Sequence, residues 1–349
     1  MIVNRRRFLH YMSASTGLAI AAGCGQRSVT PDLSSLGIGG SPILIMLPLA
    51  YLMENSRLPE VVPDIQFVPI QNHEQMKALL TSEQAQLAPN PTLLSAGLYQ
   101  QELPIKLLNV MIWGNIFVLS PDPSIAAWED LRGKTVLIPF KGSMPEMIFR
   151  FLASQSGLQP DQDVTIQSTQ DFQSTAQLLI SGQGDAGVFA EPQASSVVAK
   201  ARQQNLNMVY NLDFKAAWGQ VTGQPPRFPQ AGISILSRLQ NDHPDVVEVI
   251  QTELRNSLDW IDQNPTAAAE LGAKYMEIPP AVIEQSLQNN RFEYVPAVEA
   301  RPELEVFYQA LMQVNPKLLG GQLPNAEFYG GDDGTVSSSI LLGYPLKWF

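Results

Sequence analysis

From residue 33 to residue 236 the chain alternates between short apolar runs bounded by Gly, Pro or Asn and longer segments whose apolar residues fall at helical spacing. This alternation restricts the fold more than any other feature of the sequence. The runs at 33–39, 65–70, 105–113, 116–120, 135–139, 164–168, 186–190, 206–212 and 233–236 predict strands. The segments at 43–53, 71–80, 91–101, 145–156, 172–181 and 192–204 predict helices, the first in spite of Pro48. Antiparallel neighbours need only a tight turn, whereas parallel strands need a crossover of about a dozen residues or more, ordinarily a helix. Repeated strand–helix–strand order therefore predicts an α/β fold, with a mainly parallel sheet covered by helices on both faces.

The texture changes after the Gly-, Pro- and Gln-rich stretch 219–229, which reads as a loop. Val247, Ile250, Leu254, Leu258 and Ile261 form one stripe of a helix. Asn264-Pro265 and Pro279-Pro280 open two more helices, the second carrying Val282, Ile283 and Leu287, and Leu304, Phe307 and Leu311 mark a last one. These stripes are core faces and supply no site. Residues 320–334 read as a loose tail. With 349 residues, 45% of them hydrophobic and 16% charged, the chain has material for about two domains and no compositional sign of disorder.

Lys+Arg 22 against Asp+Glu 33 gives a net charge of −11, which argues against a nucleic-acid or anionic-membrane surface, since both need clustered positive charge. The one cysteine, Cys24, excludes an intramolecular disulfide framework and any thiolate metal site. Its position is informative. The chain opens Asn4-Arg5-Arg6-Arg7-Phe8-Leu9-His10, continues through a modest apolar run and reaches Ala21-Ala22-Gly23-Cys24, the three parts of a secretory signal over 1–23. Arg-Arg-x-Phe-Leu resembles a twin-arginine signal, and Ala-Gly-Cys resembles a lipobox that would leave Cys24 as a lipidated first residue, followed by a linker over 24–32. Removing three arginines and no acid with this leader deepens the net charge to −14.

Enzymatic constellations are missing. Gly133-Lys134-Thr135 ends like a P-loop, but Trp128 stands where the loop needs a glycine. There is no Gly-x-Ser-x-Gly elbow and no His-Glu-x-x-His. Past the leader only His73 and His243 remain, too few for most triads or metal sites, so neither a catalytic residue nor a metal or other cofactor is expected. The carboxylate pairs Asp332-Asp333 and Glu299 with Glu303 read as surface charge.

Trp128-Glu129-Asp130-Leu131-Arg132-Gly133-Lys134-Thr135-Val136 resembles the W-x-D-L-[KR]-G-K-x-V segment that starts the second lobe in substrate-binding proteins of bacterial ABC importers, specifically the taurine/nitrate/thiamine-pyrimidine (NMT-like) group. Gly182-Gln183-Gly184-Asp185-Ala186 through Glu191-Pro192 is similar to the group's G-x-x-D-A-x-x-x-x-E-P run. His243-Pro244-Asp245-Val246-Val247 and Asp262-Gln263-Asn264-Pro265-Thr266-Ala267-Ala268 resemble its helical HPE-V and NP-x-x-A motifs. In the first lobe Gln86 stands where the group usually carries Asp.

The resemblance implies a periplasmic-binding-protein type II fold, two doubly wound lobes joined by a two-strand hinge. Lobe one would take 33–119 plus 232–330, lobe two 120–231, with 331–349 as tail and the strands 116–120 and 231–236 crossing between lobes. It further implies capture of a small molecule, delivery to a permease with its ATPase, a membrane link through the lipid anchor, and a monomer. A ligand sensor and a small-acid enzyme of the dehydratase kind are the alternatives on the same fold. Ligand in such folds meets strand ends and helix starts. That geometry selects Gly39, Gly40 and Ser41, Asn90 and Thr92, Lys141, Gly142 and Ser143, and Glu191. Trp113, Asn115, Phe140, Trp218 and Phe228 flank the expected cleft, Trp218 as a stacking residue in a polar loop and Ser143 as a helix cap or ligand donor. Such a cleft carries little fixed positive charge and favours a heteroaromatic or other small organic molecule over an inorganic anion.

Overall fold

The computed structural model describes residues 33–331; the leader with Cys24, the linker and residues 332–349 lie outside them. In chain order the elements are β1 (Ser35–Gly40), α1 (Met46–Glu54), α2 (Leu58–Val61), β2 (Asp64–Pro69), α3 (His73–Thr81), β3 (Leu87–Pro91), α4 (Thr92–Gln100), β4 (Ile105–Ile112) and β5 (Ile116–Ser120). There follow β6 (Thr135–Pro139), α5 (Met144–Gln155), β7 (Thr165–Thr169), α6 (Phe172–Ile180), β8 (Ala186–Ala190), α7 (Gln193–Gln203), β9 (Val209–Asp213) and α8 (Phe214–Thr222). The remainder is β10 (Ala231–Leu236), α9 (Ser237–Asp242), α10 (Pro244–Gln263), α11 (Pro265–Met276), α12 (Pro280–Asn289), β11 (Phe292–Pro296) and α13 (Ala297–Val314).

Local chemistry accounts for many of these bounds. Pro48 sits in the first turn of α1, where its missing N–H has no intrahelical acceptor in any case. Asn72 and Asp171 cap α3 and α6 by accepting from Gln75 N and Ser174 N. Prolines open α10, α11 and α12, and Gly223, at φ +67°, ends α8.

Two sheets result, and they repeat one plan. The six-stranded sheet runs β11-β4-β10-β3-β1-β2 and the five-stranded sheet β7-β6-β8-β5-β9. In the first, β2, β1 and β3 are parallel and β10 is antiparallel to both β3 and β4. In the second, β7, β6 and β8 are parallel and β5 is antiparallel to both β8 and β9. In each sheet the reversed strand that lies between two others, β10 or β5, is the one that arrives from the other sheet, while β11 pairs antiparallel with β4 at the edge of the first. Strands 116–120 and 231–236 thus lie each within a single sheet, and the crossings fall just before them, at Trp113-Gly114-Asn115 and over 223–230.

The carboxyl end of β8 touches the first body: Gln193 Nε2 donates to Pro42 O at 2.8 Å, just past β1, and Asn289 Nδ2 at the end of α12 donates to Glu191 Oε1 at 2.7 Å. The carboxyl ends of the parallel strands in the two sheets therefore face each other. One apolar core lies wholly on the first sheet and a smaller one wholly on the second. A third includes Leu107 and Val110 of β4, Val136 and Ile138 of β6, and Phe307 of α13, and is continuous from one sheet to the other.

Three readings of the sequence are corrected. β3 is a strand that its two prolines hide, because Pro89 and Pro91 have no N–H for a ladder; with β1 it shares the single pair Ile38↔Leu87. The supposed loop from residue 219 is entered by a helix, since α8 continues through Gly219 to Thr222. Within the expected loose tail the described part is packed: Phe328 and Tyr329 are buried, and Phe328 lies 5.2 Å from the Tyr99 ring.

Candidate functional site

The W-x-D-L motif builds a turn. Asp130 accepts from Ala126 N and Ala127 N, which holds its carboxyl below the ordinary range, while Trp128 packs between Phe149 and Phe214 and launches β6. At the base of that strand Asp185 forms a two-point clip with Thr135, accepting from its N–H at 2.7 Å and donating its own N–H to the Thr135 carbonyl at 2.9 Å. Gln86 makes the same clip in the first sheet, its Oε1 accepting from Gly37 N and its N–H donating to Gly37 O at 2.8 Å. A neutral amide there makes the contact that the Asp185 carboxylate makes in the second sheet.

The crossings form a buried amide network. Asn115 N donates to Gln230 Oε1 at 2.8 Å, and Gln230 Nε2 donates back to Asn115 Oδ1 at 2.5 Å. Asn115 Nδ2 donates to Asn290 Oδ1 at 3.1 Å. Glu191 N bonds Asn115 O and Thr92 N bonds Gln230 O, so both sheets hang on the pair. Arg227, in the second crossing, stacks at 4.3 Å on Trp113 of the first and is held by Glu293 and Glu303. Gln230, Asn290 and Arg227 escaped the sequence reading, since isolated polar residues in a loop-like stretch give no periodic signal.

The expected site residues divide by position. Ser41, Phe140, Lys141, Gly142 and Ser143 lie exposed or half-buried at strand ends. The Ser41 hydroxyl donates to Ile70 O and the Ser143 hydroxyl to Pro139 O, so Ser143 stands at the N-cap position of α5 without a side-chain cap bond. Trp113 and Asn115 belong to the crossings; Trp113 Nε1 donates to Glu293 O at 3.0 Å. Asn90 and Thr92 are fully buried. Asn90 bonds Ser234, with its Oδ1 unpartnered, and Thr92 Oγ1 bonds Pro229 O. Gly39 and Gly40 are packing positions, where a Cβ would meet Ile70 at 2.6 Å and Phe67 at 2.3 Å. Two placements are corrections. Trp218 is 2% exposed inside α8, and Phe228 is fully buried and stacked 5.6 Å from Phe307. Both rings build the core shared by the sheets; the polar residues around Trp218 concealed its helix.

Glu191 is 2% exposed and accepts from Tyr210 OH, Asn289 Nδ2 and Ser195 N. Burial raises its pKa, and the same burial with the adjacent carboxylate raises that of Tyr210. Glu146, also buried, accepts from Gly142 N at 2.7 Å, so a carboxylate already occupies the loop that opens α5. Among the described residues no lysine or arginine is buried, and no group of three His, Cys, Asp or Glu side chains is placed to hold a metal. A groove of about 330 Å3 between α5 and α13 lies toward the far end of α5 from Ser143; its one cation, Arg150, is engaged by Glu146 and Asp161.

Comparison with known proteins agrees with this architecture. The family model for the periplasmic substrate-binding protein of phosphonate ABC transporters matches residues 47–256. A Bacillus subtilis (strain 168) binding protein, YtlA, is 33% identical over 82 residues, 24% of this chain; the match spans 25% of that relative's length. An ABC transporter structure from Parabacteroides distasonis superposes with a TM-score of 0.69 at 18% identity, covering 85% of this chain and 98% of that one. The aliphatic sulphonate binding protein SsuA of Escherichia coli gives 0.66 at 16% identity, with 82% and 94% covered. The nitrate-binding protein NrtA of Synechocystis PCC 6803 gives 0.62 at 12%, with 86% and 85% covered. Likenesses at these identities concern the fold.

Proposed function

Because the chain belongs to the periplasmic substrate-binding family of phosphonate-type ABC transporters, we propose that it captures a small organic solute between the strand ends of its two sheets and presents it to a permease. The family is one of transport proteins, which work outside the cytoplasm with a permease and an ATPase, and not of enzymes. The observation that supports the capture geometry is the meeting of the two sets of strand ends at Gln193–Pro42 and Glu191–Asn289, above crossings joined by Asn115 and Gln230. The family takes its name from phosphonate, and the structural relatives' names carry sulphonate and nitrate. In this chain Glu146 and Glu191 put carboxylates at two helix starts and Lys141 is exposed, which favours a neutral or heteroaromatic organic solute over an inorganic anion.

A thermal-shift screen over phosphonates, sulfonates, heteroaromatic bases and nitrate tests the reading. A ligand at a hundred times its Kd adds about 2.7 kcal/mol to the folded state, a clear rise in Tm; a panel without a single binder removes the proposal. Cys24 as lipid anchor and a monomeric state complete it. Cys24→Ala is expected to move the protein from the membrane fraction to the soluble one, and unchanged fractionation refutes the anchor.

A further inference from the structure

We infer that Phe140, with Phe172 beside it, is the surface on which the flat part of the captured solute lies. The site then selects molecules with an aromatic or heteroaromatic body over bare oxyanions and short aliphatic ones; this inference rests on the capture reading above. Phe140 follows β6 with φ +57°, in the left-handed region that bulky L side chains avoid. Its backbone is fixed there from both sides, its N–H donating to Thr169 O at 2.9 Å and its carbonyl accepting from Ser143 N at 2.9 Å. The residue remains 43% exposed, so it contributes little to the core. Neither backbone preference nor packing accounts for a phenylalanine where glycine would be easier, and sites of that kind gather at ligand-contacting positions.

Phe140 and Phe172 meet edge to face at 5.3 Å. Such a pair covers at most one of its four ring faces. β6 lies between β7 and β8, and the end of β8 is where the first body makes contact through Glu191–Asn289 and Gln193–Pro42. Phe140 thus stands one strand to the side of that contact, at the carboxyl end of β6. The Gly142 N–H beside it is taken by Glu146, so this lip offers ring surface and not an anion cradle. An added aromatic contact of this type changes affinity about three- to tenfold.

Calorimetric titration of the purified protein with probes matched in head group separates the possibilities: phenylphosphonate against methylphosphonate, benzenesulfonate against methanesulfonate, benzamide against acetamide. The ring-bearing member of a pair is expected to bind at least about threefold tighter. Phe140→Gly should bring that ratio to one with Tm unchanged or raised, because glycine accepts the positive φ, and Phe140→Tyr should keep the ratio. A ratio indifferent to Phe140→Gly, or a preference for the methyl members, overturns this inference and leaves the capture reading standing. If neither these probes nor the wider screen gives a binder, the capture reading falls and this inference with it.

Discussion

Gln230→Met tests whether the amide pair at the crossings holds the two bodies together. Gln230 is 6% exposed and Asn115 fully buried, and the substitution keeps the length of the side chain while removing both of its polar atoms. Asn115 N loses its acceptor at 2.8 Å and Asn115 Oδ1 its donor at 2.5 Å, both on a fully buried residue. Each orphaned buried group costs about 1–3 kcal/mol, and near-equal volume keeps the cavity cost small. The expected loss is thus about 2–6 kcal/mol. Urea unfolding followed by far-UV circular dichroism and tryptophan fluorescence reads it as a lower midpoint at unchanged slope, coincident probes confirming one transition. Asn115→Ala in the Gln230→Met background removes the orphaned Oδ1, so the double variant should lose less than the two single losses added together. A single-variant loss below about 0.5 kcal/mol, the size of an ordinary surface change, or strict additivity, refutes the reasoning.

Trp218→Ala should cost about 3–5 kcal/mol, as a core aromatic does, and leave ligand preference untouched; changed selectivity with unchanged unfolding would return Trp218 to the site. At Gly232 a Cβ would fall 1.8 Å from the Asn109 carbonyl oxygen, a backbone atom that cannot step aside. Gly232→Ala should therefore reach or exceed the upper end of the about 1–3 kcal/mol typical of overpacking, and a urea midpoint equal to wild type contradicts the packing. Burial raises the Glu191 pKa above its ordinary 4.5, so the stability this group contributes is fully present below pH 4.5 and is lost as pH rises through the native value. Glu191→Gln removes that slope, and Tm profiles of wild type and variant that run parallel upward from pH 4.5 refute it.

The sequence made the alternation of elements legible because burial of the strands imposes it: β5, β6 and β8 start and end where their apolar runs do. It concealed β3, whose prolines contradict a strand by local chemistry and are tolerated through pairing with β10. For the site, the strand ends at Ser41 and Phe140–Ser143 could be read from strand–helix order alone. The roles of Trp113, Asn115 and Glu191 could not, since each depends on a partner far along the chain: Glu293, Gln230 and Asn289. Gln86 shows the limit in the other direction. It departs from the motif in residue type and not in contact, because any side-chain oxygen at that reach can accept from Gly37 N.

The interleaved topology also sets an order of assembly. β10 is the strand between β3 and β4, and translation supplies it only after the whole five-stranded body has been made. Until then β3 and β4 each present an open edge, the kind of backbone that pairs with other chains. The second sheet closes its own interval sooner, because its five strands are consecutive in the chain and β8, which fills the place between β6 and β5, leaves the ribosome before β10. The inserted body is therefore the part of this protein able to fold first, and the six-stranded body, although it begins nearer the amino terminus, must wait for it.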